Sequence, residues 1–185
     1  MMMTRRWLTA FVVAGLTGSV GACEAPTDAA TVAADLEALD ADQMVFDMVS
    51  FLTASGVREG RVEADTAYVY NDSATVSMRR MRLVFYTEQG RERATVTSDA
   101  GTLDQNTDRM VARGNVVLIV HADGRRIESP ELNYDPSRDR LWSDSTTVQT
   151  MPDGTVTRGS AFESDLEFRN VQIRDPRGTV TGIVF

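Results

Sequence analysis

The chain has 185 residues, 19 basic and 27 acidic side chains, a formal net charge of −8, one cysteine and one histidine. At this length one domain with an ordinary core is the default, and 42% hydrophobic with 25% charged residues describes a globular body rather than a disordered or fibrous one. Negative charge without a basic patch argues against a nucleic-acid partner, and every basic residue is arginine. A Cys/His metal site, an internal disulfide and a Cys–His nucleophile pair would each need more than Cys23 and His121 supply.

Residues 1–22 carry Arg5 and Arg6, then a short apolar stretch from Trp7 to Leu16, then small residues. That order reads as a secretory signal peptide, and the apolar part is too short for a permanent membrane-spanning helix. Val20–Gly21–Ala22–Cys23 resembles a bacterial lipobox, in which the thiol accepts acyl chains and becomes the new N-terminus. Cys23 is therefore the expected lipid-attachment site, holding the exported protein on a membrane by acyl chains. A plain secreted protein with one stray cysteine is the alternative.

Residues 23–43 read as an acidic tether. With Arg5 and Arg6 removed, 17 arginines face 27 acids, and seven of those acids lie between Glu24 and Val57, where no basic residue occurs. Negatively charged lipid would repel such a segment and hold the body away from the surface; an ordinary solvated linker fits the composition equally. Residues 44–52 are apolar at both helical and strand periods and are assigned as a first strand, ended by the turn Thr53–Gly56.

The body, 44–185, continues with short segments rich in Val, Thr, Tyr and Phe, broken by turn clusters such as Asn71–Ser73, Asp104–Asn106, Asp123–Gly124 and Asp135–Ser137. Turns at this spacing, with no helical window between them, predict an antiparallel all-β domain. Alternation along Met81-x-Leu83-x-Phe85 and Val116-x-Leu118-x-Val120 leaves one apolar face per strand. The segment Val96–Met110 aligns with Ile127–Leu141, 31 residues later, and weaker copies start at Val62 and Val156. Such units bury their apolar faces by stacking on one another.

The ladder Val96–Asp104, the segment Asp108–Arg113, the strand start Gly114–Asn115–Val116, the segment Glu128–Asp135 and the closing Gly159–Phe162 with Phe168–Ile173 together resemble the LptC/LptA family of periplasmic bridge proteins in lipopolysaccharide export. The resemblance covers residues 56–175. One departure is a lipobox and tether where LptC usually has a transmembrane helix. The resemblance implies a single antiparallel β-jellyroll, V-shaped and open-ended, that holds lipid A acyl chains in an apolar groove. It also implies the inner-membrane ABC transporter complex and an LptA-like protein as partners, and a place on the periplasmic face of the inner membrane, the outer membrane being the alternative.

The inward-facing candidates for that groove are Val62, Tyr68, Met81, Leu83, Phe85, Val96, Leu103, Met110, Val116, Leu118, Val120, Leu132, Tyr134, Leu141, Phe162, Val171 and Ile173, each of which plain core packing would explain as well. The first strand of the repeat, 62–70, and the last, 166–174, are the expected edges for strand addition by a partner. Arg79–Arg80–Met81–Arg82 and Arg125–Arg126 are local basic spots for lipid A phosphates or, equally, solvated turn arginines. No phosphate loop or nucleophile elbow occurs, no acidic pair stands out, and neither cofactor nor metal is expected. A structural or adaptor envelope lipoprotein, with a filled sandwich and no lipid cargo, is the second reading; a cell-wall hydrolase is a distant third.

Overall fold

The computed structural model describes residues 40–54 and 56–180. The signal peptide, Cys23 and the tether up to residue 39 lie outside the described residues. The chain forms β1 (Gln43–Ala54), β2 (Val57–Tyr70), β3 (Thr75–Tyr86), β4 (Glu92–Asp104), β5 (Arg109–Val120), β6 (Arg126–Asp135), β7 (Arg140–Ser143), β8 (Thr147–Thr150), β9 (Val156–Gly159), β10 (Ala161–Ser164), β11 (Gln172–Arg174) and β12 (Arg177–Val180). All pair antiparallel in one sheet of order β1-β2-β3-β4-β5-β6-β7-β10-β11. The sheet forks at β6, whose first residues pair with β8 and whose last pair with β7; β9 and β12 extend the β8 branch. The segment that is apolar at both periods is β1, paired along its length with β2, so the β domain begins ahead of residue 56.

A line of residues skipped by the strand register crosses the first six strands at Asp47, Asp65, Arg80, Asp99, Gly114–Asn115 and Pro130. Asp47, Arg80 and Asn115 there have φ of 49°, 49° and 45°, and Gly114 has 75°. In four of the strands the buried alternation slips by one across the line, from Val76 and Met78 to Met81 and Leu83 in β3, for example. A one-residue slip in a flat strand would turn the apolar set outward; a bulge bends the strand as it resets the pleat, so both halves keep their apolar side within. Polar residues occupy the corner because their side chains point out, and Arg80 pairs there with Asp65.

The bend rolls the sheet diagonally onto itself. Phe85 lies in the register row of Ala94 and Val120, whereas Tyr134 lies in that of Met110, Leu103 and Val76. In a flat sheet the two would be roughly 30 Å apart along the strands and roughly 14 Å across them. Their ring centroids are 5.5 Å apart. The buried cluster inside the roll runs from Leu52 on β1 to Phe162 on β10 and Phe168 beyond it.

The 31-residue repeat is a turn geometry. Asp104 accepts from the backbone N–H groups of Asn106 and Thr107 at 2.9 and 3.1 Å, and Asp135, 31 residues later, accepts from that of Ser137 at 3.1 Å. Asp108 and Asp139 then close the two turns in left-handed conformation, which a short polar side chain tolerates. Ala74 and Phe168 occupy the same conformation in the first and last turns. Neighbouring turns are stitched together: Gln105 N–H donates to the Ala74 carbonyl at 2.8 Å, and Leu166 N–H to Asp139 Oδ1 at 3.1 Å.

The Gly114–Asn115 motif has a structural explanation in the corner. Asn115 Nδ2 donates to Asp99 Oδ2 at 2.7 Å, and a Cβ on Gly114 would stand 2.9 Å from that same oxygen. Gly114→Ala is expected to cost about 1–3 kcal/mol, from the left-handed φ and the displaced carboxylate. Urea denaturation of the variant beside Val117→Ala, away from the corner, checks it.

Candidate lipid groove and sheet edges

Fourteen of the seventeen groove candidates meet in one buried cluster: Val62, Met81, Leu83, Phe85, Val96, Leu103, Met110, Val116, Leu118, Val120, Leu132, Tyr134, Leu141 and Phe162. Val171 and Ile173 are half-buried and pack against it. Tyr68 is the exception. The slip at Asp65 puts Ala67 and Val69 on the core side, so Tyr68, between them and paired with Ser77, is buried but lies outside that cluster, with Arg79 5.4 Å from its ring centroid. An unbroken alternation from Val62 to Tyr70 does not include that slip. Ala67 and Met78 join the cluster on the alternation beyond the slip, and Phe168 joins it through a turn.

The interior is filled. Between Met81, Leu83, Val96, Met110, Leu132, Tyr134 and Leu141 the remaining space is about 10 Å³, room for one water at most. A cleft of about 240 Å³ opens at one end, where Val57, Arg58, Tyr86 and Arg93 face Pro136, Asp139, Leu166 and Glu167 across the roll. Phe85 and Tyr134 form its inner wall.

One of the two expected free edges is covered and the other is open. Residues 62–70 lie within β2, hydrogen-bonded to β1 on one side and β3 on the other, so that edge is covered. β1 is the open edge at one end of the sheet, and β11, inside the predicted segment 166–174, ends the other branch beside β10. β1 also carries exposed apolar side chains, Phe46, Val49 and Phe51, at 55%, 54% and 47% exposure. Arg58 lies 4.0 Å from the Phe51 ring centroid.

Most of the arginines in the basic spots have a carboxylate neighbour. Arg80 pairs with Asp65, Arg82 with Glu63 at 3.3 Å, Arg126 with Glu128 at 2.9 Å, and Arg125 with Asp123, while Arg79 lies over the Tyr68 ring. Exposed pairs of this kind are weak. His121 is part-exposed at the end of β5, its Nε2 3.0 Å from Thr95 Oγ1. Among the described residues no group of three or more His, Cys, Asp or Glu side chains could hold a metal ion, and no helix is long and apolar enough to cross a membrane.

Among the described residues, the one buried carboxylate works in the turn. Asp135 accepts from Ser137 Oγ at 2.6 Å and pairs with Arg109 at 2.9 Å and Arg138 at 3.6 Å. The Ser137 hydroxyl first, then the two arginines, hold its carboxyl below the usual range against the opposing effect of desolvation. A lowered folded value means that Asp135 stabilises above its ordinary pKa of about 3.9 and that this is lost as pH falls through the folded value. Asp135→Asn should be less stable than the parent at pH 7, with the difference shrinking in urea titrations taken towards pH 2. Burial and the carboxylates of Glu59, Asp108 and Asp135 push the Tyr134 hydroxyl far above its usual value, so it stays a neutral wall of the interior.

Comparison with known proteins adds the assignment. A search of curated protein sequences finds no match. Among solved structures, LptH, the LptA-homologous periplasmic component of the lipopolysaccharide transport device of Pseudomonas aeruginosa, is similar with a TM-score of 0.49 and 15% identity, over 62% of this chain and 80% of that one. The family model described as lipopolysaccharide-assembly, LptC-related, matches residues 8–180, nearly the whole sequence. The chain belongs to the LptC-related family of lipopolysaccharide-assembly proteins.

Proposed function

We propose that the protein is a non-enzymatic, lipid-anchored bridge that takes up lipopolysaccharide acyl chains in its rolled sheet and hands them to a similarly folded partner. The observation that carries this reading is the continuous apolar interior from Leu52 to Phe162, which reaches the surface at the cleft walled by Phe85 and Tyr134. Acyl chains need a dry lining, whereas sugars and phosphates stay in water outside it. The antiparallel walls close only through side-chain contact, so they can part without breaking a strand ladder. The open edges β1 and β11 offer unpaired backbone groups for strand addition by an inner-membrane ABC transporter complex and an LptA-like protein. Energy for directional transfer comes from that transporter. Acylated Cys23 would hold the body at the periplasmic face of the inner membrane, and Cys23→Ser should move the protein from the membrane to the soluble fraction on fractionation.

A second reading has its own support. An interior space of only about 10 Å³ is what an adaptor with a filled sandwich would have. Mass spectrometry of lipid co-purified with the full chain, expressed in a lipopolysaccharide-producing host and extracted in mild detergent, separates them. Stoichiometric lipopolysaccharide that photo-crosslinks to a probe at Phe85 supports the bridge; a folded, lipid-free protein supports the adaptor.

A further inference from the structure

The mouth cleft is closed from one side by the turn after β10. Phe168 sits in that turn at φ 58°, a conformation that a bulky aromatic residue adopts only when its surroundings impose it. Its ring is buried in the core cluster and meets Phe85 edge-on, with centroids 5.8 Å apart. The turn is braced from within: Asp165 Oδ1 accepts from Arg169 N–H at 2.8 Å, and Asp165 Oδ2 from Asn170 Nδ2 at 2.7 Å.

It is also held from across the mouth. Arg93, at the start of β4 and 73 residues away in sequence, donates from Nη1 to the Leu166 carbonyl at 3.0 Å and pairs with the Glu167 carboxylate. Side by side, then, one short turn places an aromatic ring in the apolar interior and a carboxylate on an arginine at its rim. An acylated anion entering the same mouth would need those two places, the chain in the interior and the anionic oxygens on the guanidinium.

We propose that the 165–170 turn is a built-in competitor of the cargo: Phe168 stands in for an acyl chain and Glu167 for an anionic headgroup, and an acylated anion enters by displacing both. The inference rests on the groove reading above and adds to it the entry point, the ligand class and the contact that must break. It also accounts for an interior that is closed in a lipid carrier. The turn acts as a stopper that leaves the core dry and packed until a ligand with both a chain and a negative charge replaces it.

Dodecyl phosphate and dodecanol, used below their micelle concentrations, are the probes, and the full chain is the protein. In F168W, with the emission of the parent's own Trp7 and Trp142 subtracted, dodecyl phosphate should shift the indole emission to the red as the ring leaves the interior. Dodecanol should do so only at much higher concentration. Glu167→Gln removes the competing carboxylate from Arg93, and with it the 3.1 Å pair to Arg169, and keeps the arginine. It should lower the half-saturating concentration of dodecyl phosphate roughly two- to five-fold, the range set by loss of one exposed ion pair. Arg93→Gln should abolish the preference for the phosphate over the alcohol. Should F168W fold poorly, Phe168→Ala, expected to bind at lower concentration than the parent, reads the same displacement. Binding of dodecyl phosphate with the indole unmoved, or with E167Q and F168A no tighter than the parent, overturns the stopper and leaves the groove standing. Absence of binding by parent and variants, all folded by circular dichroism, overturns both.

Discussion

Leu118→Arg is expected to leave no folded domain at 25 °C. Leu118 is 1% exposed near the C-terminal end of β5, between Val96 on β4 and Ile127 on β6, in an interior with no space to spare. An arginine there must either bury an unpaired cation, at an effective penalty of several kcal/mol, or prise the roll apart. Domains of this size have about 5–15 kcal/mol in all, so such a penalty removes most of the native population. Leu118→Ala is the graded companion: it should cost about 2–5 kcal/mol and stay folded. Circular dichroism during urea denaturation of the two variants checks this, and an arginine variant as stable as the alanine one would show that the interior opens readily. The consequence for the groove is practical. A charge at Leu118 or Phe85 tests folding before it tests lipid binding, so cross-linking from a retained core position is the sharper probe of cargo.

Gly159→Ala should dislodge the edge strand β11. Gly159 ends β9 where it passes beneath β11, and a Cβ there would lie 2.2 Å from Ile173 Cγ2 and 2.4 Å from the Arg174 carbonyl oxygen. The isoleucine could turn aside; the carbonyl belongs to the backbone of β11 and accepts from Ser160 N–H at 2.9 Å. Relief therefore requires β11 to shift from β10, at a cost of about 1–3 kcal/mol and loss of local order. Amide hydrogen exchange should show faster exchange in residues 172–174 while the β2–β5 amides keep their protection. If β11 is a docking edge, partner binding falls with it, and Ser160→Ala, which keeps the backbone bond, leaves it intact. Unchanged exchange at β11 would mean that the strand sits farther from β9 than these contacts require.

How much of this was legible beforehand differs by residue. The turns announce themselves, because an aspartate that accepts from the backbone N–H two residues on, as Asp104 and Asp135 do, is a local device. Strand interiors such as Leu83, Leu118 and Tyr134 follow from alternation because pleating enforces a period of two. Tyr68 falls outside the cluster because the alternation beyond Asp65 moves to Ala67 and Val69, and nothing at Asp65 or Thr66 marks that slip on its own. Phe168, part of the family match, is not placed in the interior for a different reason: it lies in a turn, outside any period, and its ring meets Phe85 of β3 from a distant part of the chain.

The amino-acid sequence by itself determined the class of the domain, its hairpin turns, the apolar composition of its inner face and the negative charge of the segment before it. These are properties of residues within about ten positions of each other, set by pleat, turn chemistry and composition. The tertiary structure decided the rest: that the sheet rolls diagonally, that β1 rather than β2 is the open edge, that the inward-facing apolar residues meet in a closed core, and that Arg93 reaches the 165–170 turn. Each of those depends on the line of bulges crossing six strands, whose small bends add up only when the strands are side by side. Contacts such as that of Arg93 with Leu166, 73 positions apart, are the product of that accumulated geometry, and no local pattern encodes them.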